Sequence, residues 1–374
     1  MALNCGIVGL PNVGKSTIFS ALSGAAAEAA NYPFCTINPN VGIVPVPDER
    51  LAKLTDIFKP KRTIPASVEF VDIAGLVKGA SKGEGLGTQF LSHIREVGVI
   101  AQVVRCFEDP DIIHVSNKVD PEDDMETINV ELALADLETL AKKKERAERT
   151  LKVQAKEEKK AAETALSALE KIEPVLQQGK PARSVDLDDD EREAVYDCHF
   201  ITLKPQLYVC NLDEEGMKAA AHGSLPPHAE TVRKRAAAEA SEAVCICGKF
   251  EAELTGISDP EEKLAFLEEL GLRESGLSAL IHAAYRLLGL RTFFTAGADE
   301  CRAWTIHAGE RAPGAAGVIH TDFEKGFIKA EVYAYSDILQ YGAEAKIKEA
   351  GKYRIEGKEY LVQDGDIMFF KFNV

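Results

Sequence analysis

The 374-residue sequence lacks the features that mark membrane and secreted proteins. It has no apolar run close to the roughly 18–20 residues that a membrane-spanning helix needs. Its first residues show neither the basic stretch nor the cleavage site of a secretory signal, and they lead directly into an apolar strand pattern. We therefore expect a cytoplasmic protein with no membrane partner.

The sequence is also poor in positive charge. Its 44 lysine and arginine residues are outnumbered by 60 aspartate and glutamate residues, and the formal net charge is −16. A surface of that sign repels the phosphate backbone of nucleic acids. We therefore expect no general binding to duplex DNA, while a local basic patch is still compatible with contact to RNA.

Cysteine is scattered along the chain, and no cysteine or histidine cluster has the spacing of metal ligands. Cys245 and Cys247 are one residue apart in an alternating, strand-like run. Side chains at that spacing point to opposite faces of a strand, which suits neither a redox pair nor a zinc site. We expect all eight cysteines to be reduced residues that serve packing.

One short motif is present in full. Residues 9–16 read GLPNVGKS, which matches the phosphate-binding pattern G-x-x-x-x-G-K-[ST] at every fixed position. A short apolar strand precedes the motif and a helical pattern follows it. In that context, backbone N–H groups and a helix N-terminus surround the phosphates of a nucleotide. The residues that we expect to bind the nucleotide here are Asn12, Val13, Gly14, Lys15, Ser16 and Thr17.

Three polar side chains are expected to bind either the phosphates or Mg²⁺. Lys15 should reach the β- and γ-phosphates and take part in catalysis, and the Ser16 hydroxyl should be a ligand of Mg²⁺. About 20 residues further on, a loop with two prolines contains Thr36, which is where NTPases of the switch type place a second metal-binding hydroxyl. The alternative for Thr36 is an ordinary loop hydroxyl that bonds to the backbone.

A D-x-x-G motif follows the next predicted strand. Asp72 at the strand end can hold Mg²⁺ through water, and Gly75 lets its backbone N–H approach the γ-phosphate. Leu76 occupies the position where many GTPases have the glutamine that orients the attacking water. The leucine side chain cannot form a hydrogen bond, so another group of the chain or a partner must orient that water.

Two segments resemble a base-reading loop. Asn117–Asp120 spells the guanine-reading N-K-x-D, but too few residues separate it from the preceding strand for a parallel crossover, so we interpret this match as coincidental. The segment that begins with Asn211 ends a buried strand and has a carboxylate at its fourth position, Glu214. Glutamate in place of aspartate, with Leu212 in place of lysine, should lose the bidentate fit to guanine and accommodate adenine. Gly248, after the final strand of the sheet, should also touch the base.

The rest of the chain divides by its pattern. Residues from about 125 to 200 are rich in Lys, Glu and Ala with sparse leucines, which predicts an inserted arm of long helices. A partner-binding arm and a solvated structural insertion are both consistent with this pattern. The C-terminal part contains strand patterns separated by glycines and predicts a small α+β domain, for which a binding module is the default interpretation.

With these residues in place, the chain resembles the Obg-like ATPase (YchF) family of P-loop proteins over nearly its whole length. The segments that carry the resemblance are residues 9–17, 32–36, 72–80, 211–214, 303–306 and 320–327.

The resemblance implies an α/β fold with three parts. Residues 1–277 would form an OBG-type P-loop nucleotide-binding domain with a mostly parallel sheet and the helical arm inserted at about 125–200. Residues 278–374 would form a TGS domain of the β-grasp type. The resemblance further implies a preference for ATP over GTP and association with the ribosome, for which contact with the large subunit is one option. We expect ATP and ADP as ligands and a monomeric chain.

His114 is our candidate for the missing water-orienting group. Its imidazole can accept or relay a proton near neutral pH, and the resemblance supports a catalytic histidine here. The alternative is an ordinary loop histidine. At the level of function, three hypotheses stay open: a slow ATPase switch that the translation machinery reads, a GTPase of the same fold, and a nucleotide-binding adaptor whose hydrolysis is incidental.

Overall fold

The computed structural model describes most of the chain. The described residues are 4–28, 40–73, 86–152, 156–257 and 259–373. The predictions for Thr36, Gly75 and Leu76 lie outside these ranges.

The chain divides into two compact units. The first comprises Met1–Gly42 and Glu69–Ala284, and the second comprises Ile43–Val68 and Tyr285–Val374. This division and the predicted boundary at residue 277 differ in where residues 43–68 and 278–284 belong.

The first sheet has six strands in the order β2-β4-β1-β5-β6-β7. Its strands are β1 (Asn4–Val8), β2 (Val41–Pro45), β4 (Ser67–Asp72), β5 (Val99–Arg105), β6 (Gln206–Asn211) and β7 (Glu242–Ile246). The pairs β4–β1, β1–β5, β5–β6 and β6–β7 are all parallel, and every residue of β5 and β6 is buried. Strands covered on both faces read as continuous apolar runs, which is why the sequence revealed them. The predicted mostly parallel sheet is confirmed.

The register of this sheet places polar residues next to one another at the carboxyl ends of its parallel strands. Asp72 is the register partner of Ile7, and Arg105 is the partner of Asn211. Ligands of open parallel sheets bind outside the carboxyl ends of the strands. The helices that accompany this sheet are α1 (Lys15–Glu28), α3 (Leu86–Glu96), α7 (Glu214–Ala221), α8 (Pro227–Ala238), α9 (Gly248–Thr255), α10 (Pro260–Glu269) and α11 (Gly276–Leu287).

The predicted long helices of the arm are present. They are α4 (Pro121–Thr150) and α5 (Lys156–Gln177), followed by the short α6 (Asp189–Ala194). Helix α4 begins where the Asp120 side chain accepts a hydrogen bond from the Asp123 N–H, with Pro121 in the first turn. The two long helices enclose an apolar core of their own, which includes Leu140, Leu169 and Ile172.

The second unit is built on another six-stranded sheet, in the order β11-β10-β12-β8-β9-β3. Its strands are β3 (Arg62–Ile64), β8 (Leu290–Ala296), β9 (Glu300–His307), β10 (Phe327–Ala334), β11 (Arg354–Glu356) and β12 (Asp366–Phe372). Its helices are α2 (Glu49–Phe58), α12 (Ala312–Ile319), α13 (Thr321–Lys325), α14 (Tyr335–Tyr341) and α15 (Glu344–Glu349). Helix α12 packs its alanines against the buried side chains of Phe293, Val332 and Met368. The predicted C-terminal α+β fold is confirmed.

No helix within the described ranges is long and apolar enough to cross a membrane. The seven described cysteines are free thiols, and all of them except Cys245 are buried.

Candidate functional site

The phosphate-binding motif forms a tight turn between β1 and α1. Asn12 and Gly14 both have positive φ angles, 63° and 93°, and the side chain between them, Val13, is buried in the core. The Gly14 carbonyl accepts a hydrogen bond from the Ile18 N–H at 3.0 Å, which begins the helix. The turn therefore leads directly into the N-terminus of α1, the position at which a helix favours anions.

Of the charged and hydroxyl groups predicted for phosphate and metal, those that the structure describes lie at this turn and at the end of β4. The Lys15 ammonium forms an ion pair with the Asp72 carboxylate, and both side chains are partly exposed. Ser16 and Thr17 are exposed in the first turn of α1. Hydroxyl and carboxylate oxygens are the donors that Mg²⁺ prefers. Ser16 and Asp72 thus fit a magnesium site in their chemistry.

Asn211 joins the phosphate turn to the opposite side of the site. Its buried side chain donates from Nδ2 to the Val13 carbonyl at 2.9 Å and accepts at Oδ1 from the Gly248 N–H at 3.0 Å. One amide therefore fixes the turn after β1 to the start of α9, after β7. Removing either partner of such a buried hydrogen bond leaves the other without compensation for lost hydration.

A cavity of about 280 Å³ opens beside this amide. Its walls are the phosphate turn, the segment after β5 and the segments after β6 and β7. Predicted residues that line it are Asn12, Gly14, Thr17, Asn211, Leu212, Glu214 and Gly248. Val13, Lys15, Ser16, Asp72 and His114 are not among its lining residues.

Glu214 and Leu212 have different surroundings in this cavity. Glu214 is the first residue of α7, and its Oε1 lies 3.2 Å from the Lys249 Nζ. This hydrogen bond raises the pKa of the Lys249 ammonium. The Leu212 side chain packs in the hydrophobic core. The polar side chains of Glu214 and Lys249 in this part of the cavity are therefore a carboxylate and an ammonium that pair with each other.

Arg105 shapes one wall of the cavity, although no motif in the sequence points to it. Its guanidinium is fully buried and donates to the carbonyls of Phe107 at 3.1 Å, Asp109 at 3.0 Å and Ile112 at 2.9 Å. It also lies 4.7 Å from the centre of the Phe107 ring. The sequence does hold one sign of this role, a single arginine within an apolar strand pattern. Such an arginine is buried with the strand, and a buried charge needs several hydrogen-bond acceptors nearby.

His114 occupies a buried position next to the arm. Its Nδ1 accepts from the Ser116 N–H at 3.2 Å, so Nε2 carries the proton and donates to the Asp124 Oδ2 at 3.0 Å. The preceding residue is bonded to the phosphate turn, since the Ile113 carbonyl accepts from the Asn12 Nδ2 at 3.1 Å. Both ring nitrogens are thus occupied, and catalysis by His114 stays a prediction.

The N-K-x-D segment serves the arm. Asn117 adopts a positive φ of 56°, Lys118 pairs with Asp120 at 3.3 Å, and Asp120 caps helix α4. These residues do not line the cavity, in agreement with the interpretation of the motif as coincidental.

Family models match an N-terminal and a C-terminal part of the chain. A model described as a 50S ribosome-binding GTPase matches residues 4–144. A second, the YchF GTPase C-terminal model, described as a protein of unknown function (DUF933), matches residues 290–373.

Comparison with whole proteins covers the entire chain. Relatives named ribosome-binding ATPase YchF are 55% identical in Haemophilus influenzae and 54% identical in Bacillus subtilis, and the match covers 100% of both chains in each case. A solved structure of the Schizosaccharomyces pombe YchF GTPase is 39% identical, with a TM-score of 0.88 over 99% of this chain and 97% of that one. Sequence identity and shared fold, both over essentially the full length, show that this chain belongs to the YchF family.

Proposed function

We propose that the protein is a Mg²⁺-dependent ATPase that hydrolyses ATP to ADP and phosphate and acts as a nucleotide switch on ribosomes. The observation that carries this proposal is the position of the Asn211 side chain. It bonds to both the phosphate turn and the start of α9, and these two segments line one cavity. The names of the bacterial relatives support both the ATPase activity and the ribosome as partner. A ribosomal partner would also place the protein in the cytoplasm.

The preference for ATP rests on the base-side residues. A guanine reader needs a carboxylate that is free to accept from guanine N1 and N2. Here the carboxylate is the longer Glu214, already paired with Lys249, and the lysine of guanine readers is replaced by the buried Leu212. Adenine presents a donor at N6 instead of the guanine acceptor O6. Adenine therefore does not need the free carboxylate that guanine N1 and N2 require.

Each polar residue then has a role in hydrolysis. Lys15 exchanges its contact with Asp72 for the β- and γ-phosphates, and the N-terminus of α1 adds its N–H groups. Ser16, Thr36 and Asp72 would hold Mg²⁺, directly or through water, and Gly75 would donate its N–H to the γ-phosphate. When bound, the ion neutralises charge on the phosphates. His114 orients the attacking water in place of Leu76.

GTP hydrolysis is the second candidate, because the fission yeast structure and the N-terminal family model are both named as GTPases. Titration of ATP and GTP at fixed Mg²⁺ separates the two, since the ATPase proposal requires ATP to bind at least as tightly as GTP. A clear preference for GTP would overturn it.

Single-turnover hydrolysis tests the chemistry. The variant His114→Ala should keep its ATP affinity and lose turnover by roughly 10- to 1,000-fold, the range for one acid–base or orienting group. An unchanged rate constant would remove His114 from the mechanism. Ribosome capture with a non-hydrolysable ATP analogue against ADP then tests the switch, and equal capture would favour an adaptor whose hydrolysis is incidental.

A further inference from the structure

The segment between β5 and α4 is held at three successive points. The Arg105 guanidinium bonds to the carbonyls of residues 107, 109 and 112. Asn12 of the phosphate turn bonds to the Ile113 carbonyl. Asp124 of the arm helix bonds to His114. One short stretch of chain thus links the phosphate turn to the first turn of α4.

The last of these bonds is buried and incompletely satisfied. The side chains of His114 and Asp124 are each 3% exposed. The Asp124 Oδ2 accepts from the imidazole, whereas its Oδ1 is buried with no hydrogen-bond partner among the described residues. Burial raises the pKa of this carboxyl. A carboxylate with one unbonded oxygen is unfavourable in a site of low dielectric. Breaking the His114–Asp124 bond therefore costs less free energy than breaking a fully satisfied buried bond.

Packing fixes the position of Asp124. The neighbouring side chains of Met125 and Ile128 are in the core, and the Asp120 cap fixes the start of the helix. The side chains beside His114 are not fixed by packing, since Ile113 is 73% and Val115 is 49% exposed, so hydrogen bonds hold this segment. When the bond breaks, the His114 segment is therefore the part that moves.

We propose that Asp124 is a positioning residue that holds His114 away from the phosphates, so that release of this bond sets the basal rate of hydrolysis. The inference rests on the proposed function, in which His114 orients the attacking water. A nucleotide that shifts Asn12 acts on the backbone next to His114 through the Ile113 carbonyl. A partner that binds the arm acts on the same bond from α4.

The test is the variant Asp124→Asn, which keeps the side-chain shape and weakens the acceptor. A hydrogen bond to a charged group is markedly stronger than one to a neutral group, so kcat should rise about 10-fold while the Kd for ATP stays the same. The control is Asp123→Asn, which removes the same charge from the neighbouring, exposed position of α4. The double variant with His114→Ala should be as slow as His114→Ala alone.

The outcomes separate the two proposals. A slow His114→Ala with an unchanged or slower Asp124→Asn overturns the role of Asp124 and leaves the proposed mechanism intact. An unchanged rate in His114→Ala overturns both.

A spectroscopic measurement on the unmodified protein covers the case in which Asp124→Asn fails to fold. Nitrogen NMR should show His114 as the Nε2–H tautomer without nucleotide, with its signal assigned through His114→Ala. With a non-hydrolysable ATP analogue and Mg²⁺ bound, most molecules should keep the bond to Asp124, and relaxation dispersion should detect exchange with a minor state in which it is broken. A bond that is broken in most molecules, or the absence of that minor state, overturns the proposal.

Discussion

The side-chain amide of Asn211 occupies the space that a Cβ atom on Gly14 would need. The glycine also has a φ of 93°, a conformation that disfavours any other residue. The turn after β1 and the end of β6 are therefore fitted to each other, and a substitution in either one should alter the geometry of both.

The first prediction concerns this fit. Asn211→Ala leaves the Val13 carbonyl and the Gly248 N–H without their partner, and each buried unsatisfied group costs about 1–3 kcal/mol. Affinity for ATP and for GTP should both fall at least about 10-fold in equilibrium titrations. Lys218→Ala, at an exposed position of α7, is the control. Unaltered affinity for both nucleotides would show that the amide does not support the site.

Base choice gives the second prediction. Glu214→Asp should shift the affinity ratio toward GTP, by about 1–3 kcal/mol if a base contact here is worth as much as in base-edge readout. Adding Leu212→Lys would place an ammonium in the hydrophobic core, so the single substitution is the cleaner test. Glu215→Asp at the next, exposed position is the matched control. An identical shift in both variants contradicts a base-reading role for Glu214.

The third prediction concerns the metal. Ser16→Ala should weaken ATP binding in the presence of Mg²⁺ more than in its absence, because only the metal-bound complex uses the hydroxyl. Calorimetric titration with Mg²⁺ and with EDTA measures the two losses. Ser20→Ala, exposed on the same helix, should change neither. Equal losses under both conditions would remove Ser16 from the metal site.

Arg105 gives the fourth prediction. Arg105→Met removes the donors to three carbonyls and should lower the free energy of unfolding by several kcal/mol, at about 1–3 kcal/mol per unsatisfied buried group. Nucleotide affinity should fall as well, because the Phe107–Ile112 wall loses its support. Urea unfolding and ATP titration measure the two effects. Arg233→Met, which breaks an exposed ion pair with Glu230, should change the free energy of unfolding far less, because exposed ion pairs are screened by water. An equally small decrease in the free energy of unfolding in Arg105→Met would contradict the role assigned to Arg105.

The fifth prediction concerns pH. Glu251 is buried and accepts from the Gly276 N–H at 2.7 Å, and burial raises its pKa from 4.5 to about 7. The folded state therefore holds a proton that the unfolded state releases, so stability falls as pH rises from about 4.5 to about 7.

Glu251→Gln should remove that slope, on the order of 1.4 kcal/mol per pH unit at most. The difference in free energy of unfolding between variant and unmodified protein should thus move in favour of the variant between pH 5 and pH 8. Urea unfolding at both pH values measures it, with the exposed Glu253→Gln as control. A difference that is the same at both pH values would contradict the raised pKa.

Contiguous features of this protein are determined by the sequence itself. The phosphate turn at residues 9–16 is encoded by glycines and by the strand and helix on either side, all within reach of local backbone preference. Buried parallel strands and the long α4 are encoded by the composition and spacing of apolar residues. The position of Asn211 at the end of a buried strand could also be predicted, because β6 reads as an apolar run.

Only the tertiary structure decided which distant groups meet. Asn211 bonds to Val13 across 198 positions, β3 joins the second sheet by pairing with β9, and His114 is buried against Asp124. Such pairings depend on strand register and on the packing of whole elements, which local preference does not specify. The sequence thus determined the turn after β1 and the strands around it. The packing decided that Asn211 holds that turn, that Arg105 holds the segment after β5 and that Asp124 bonds to His114.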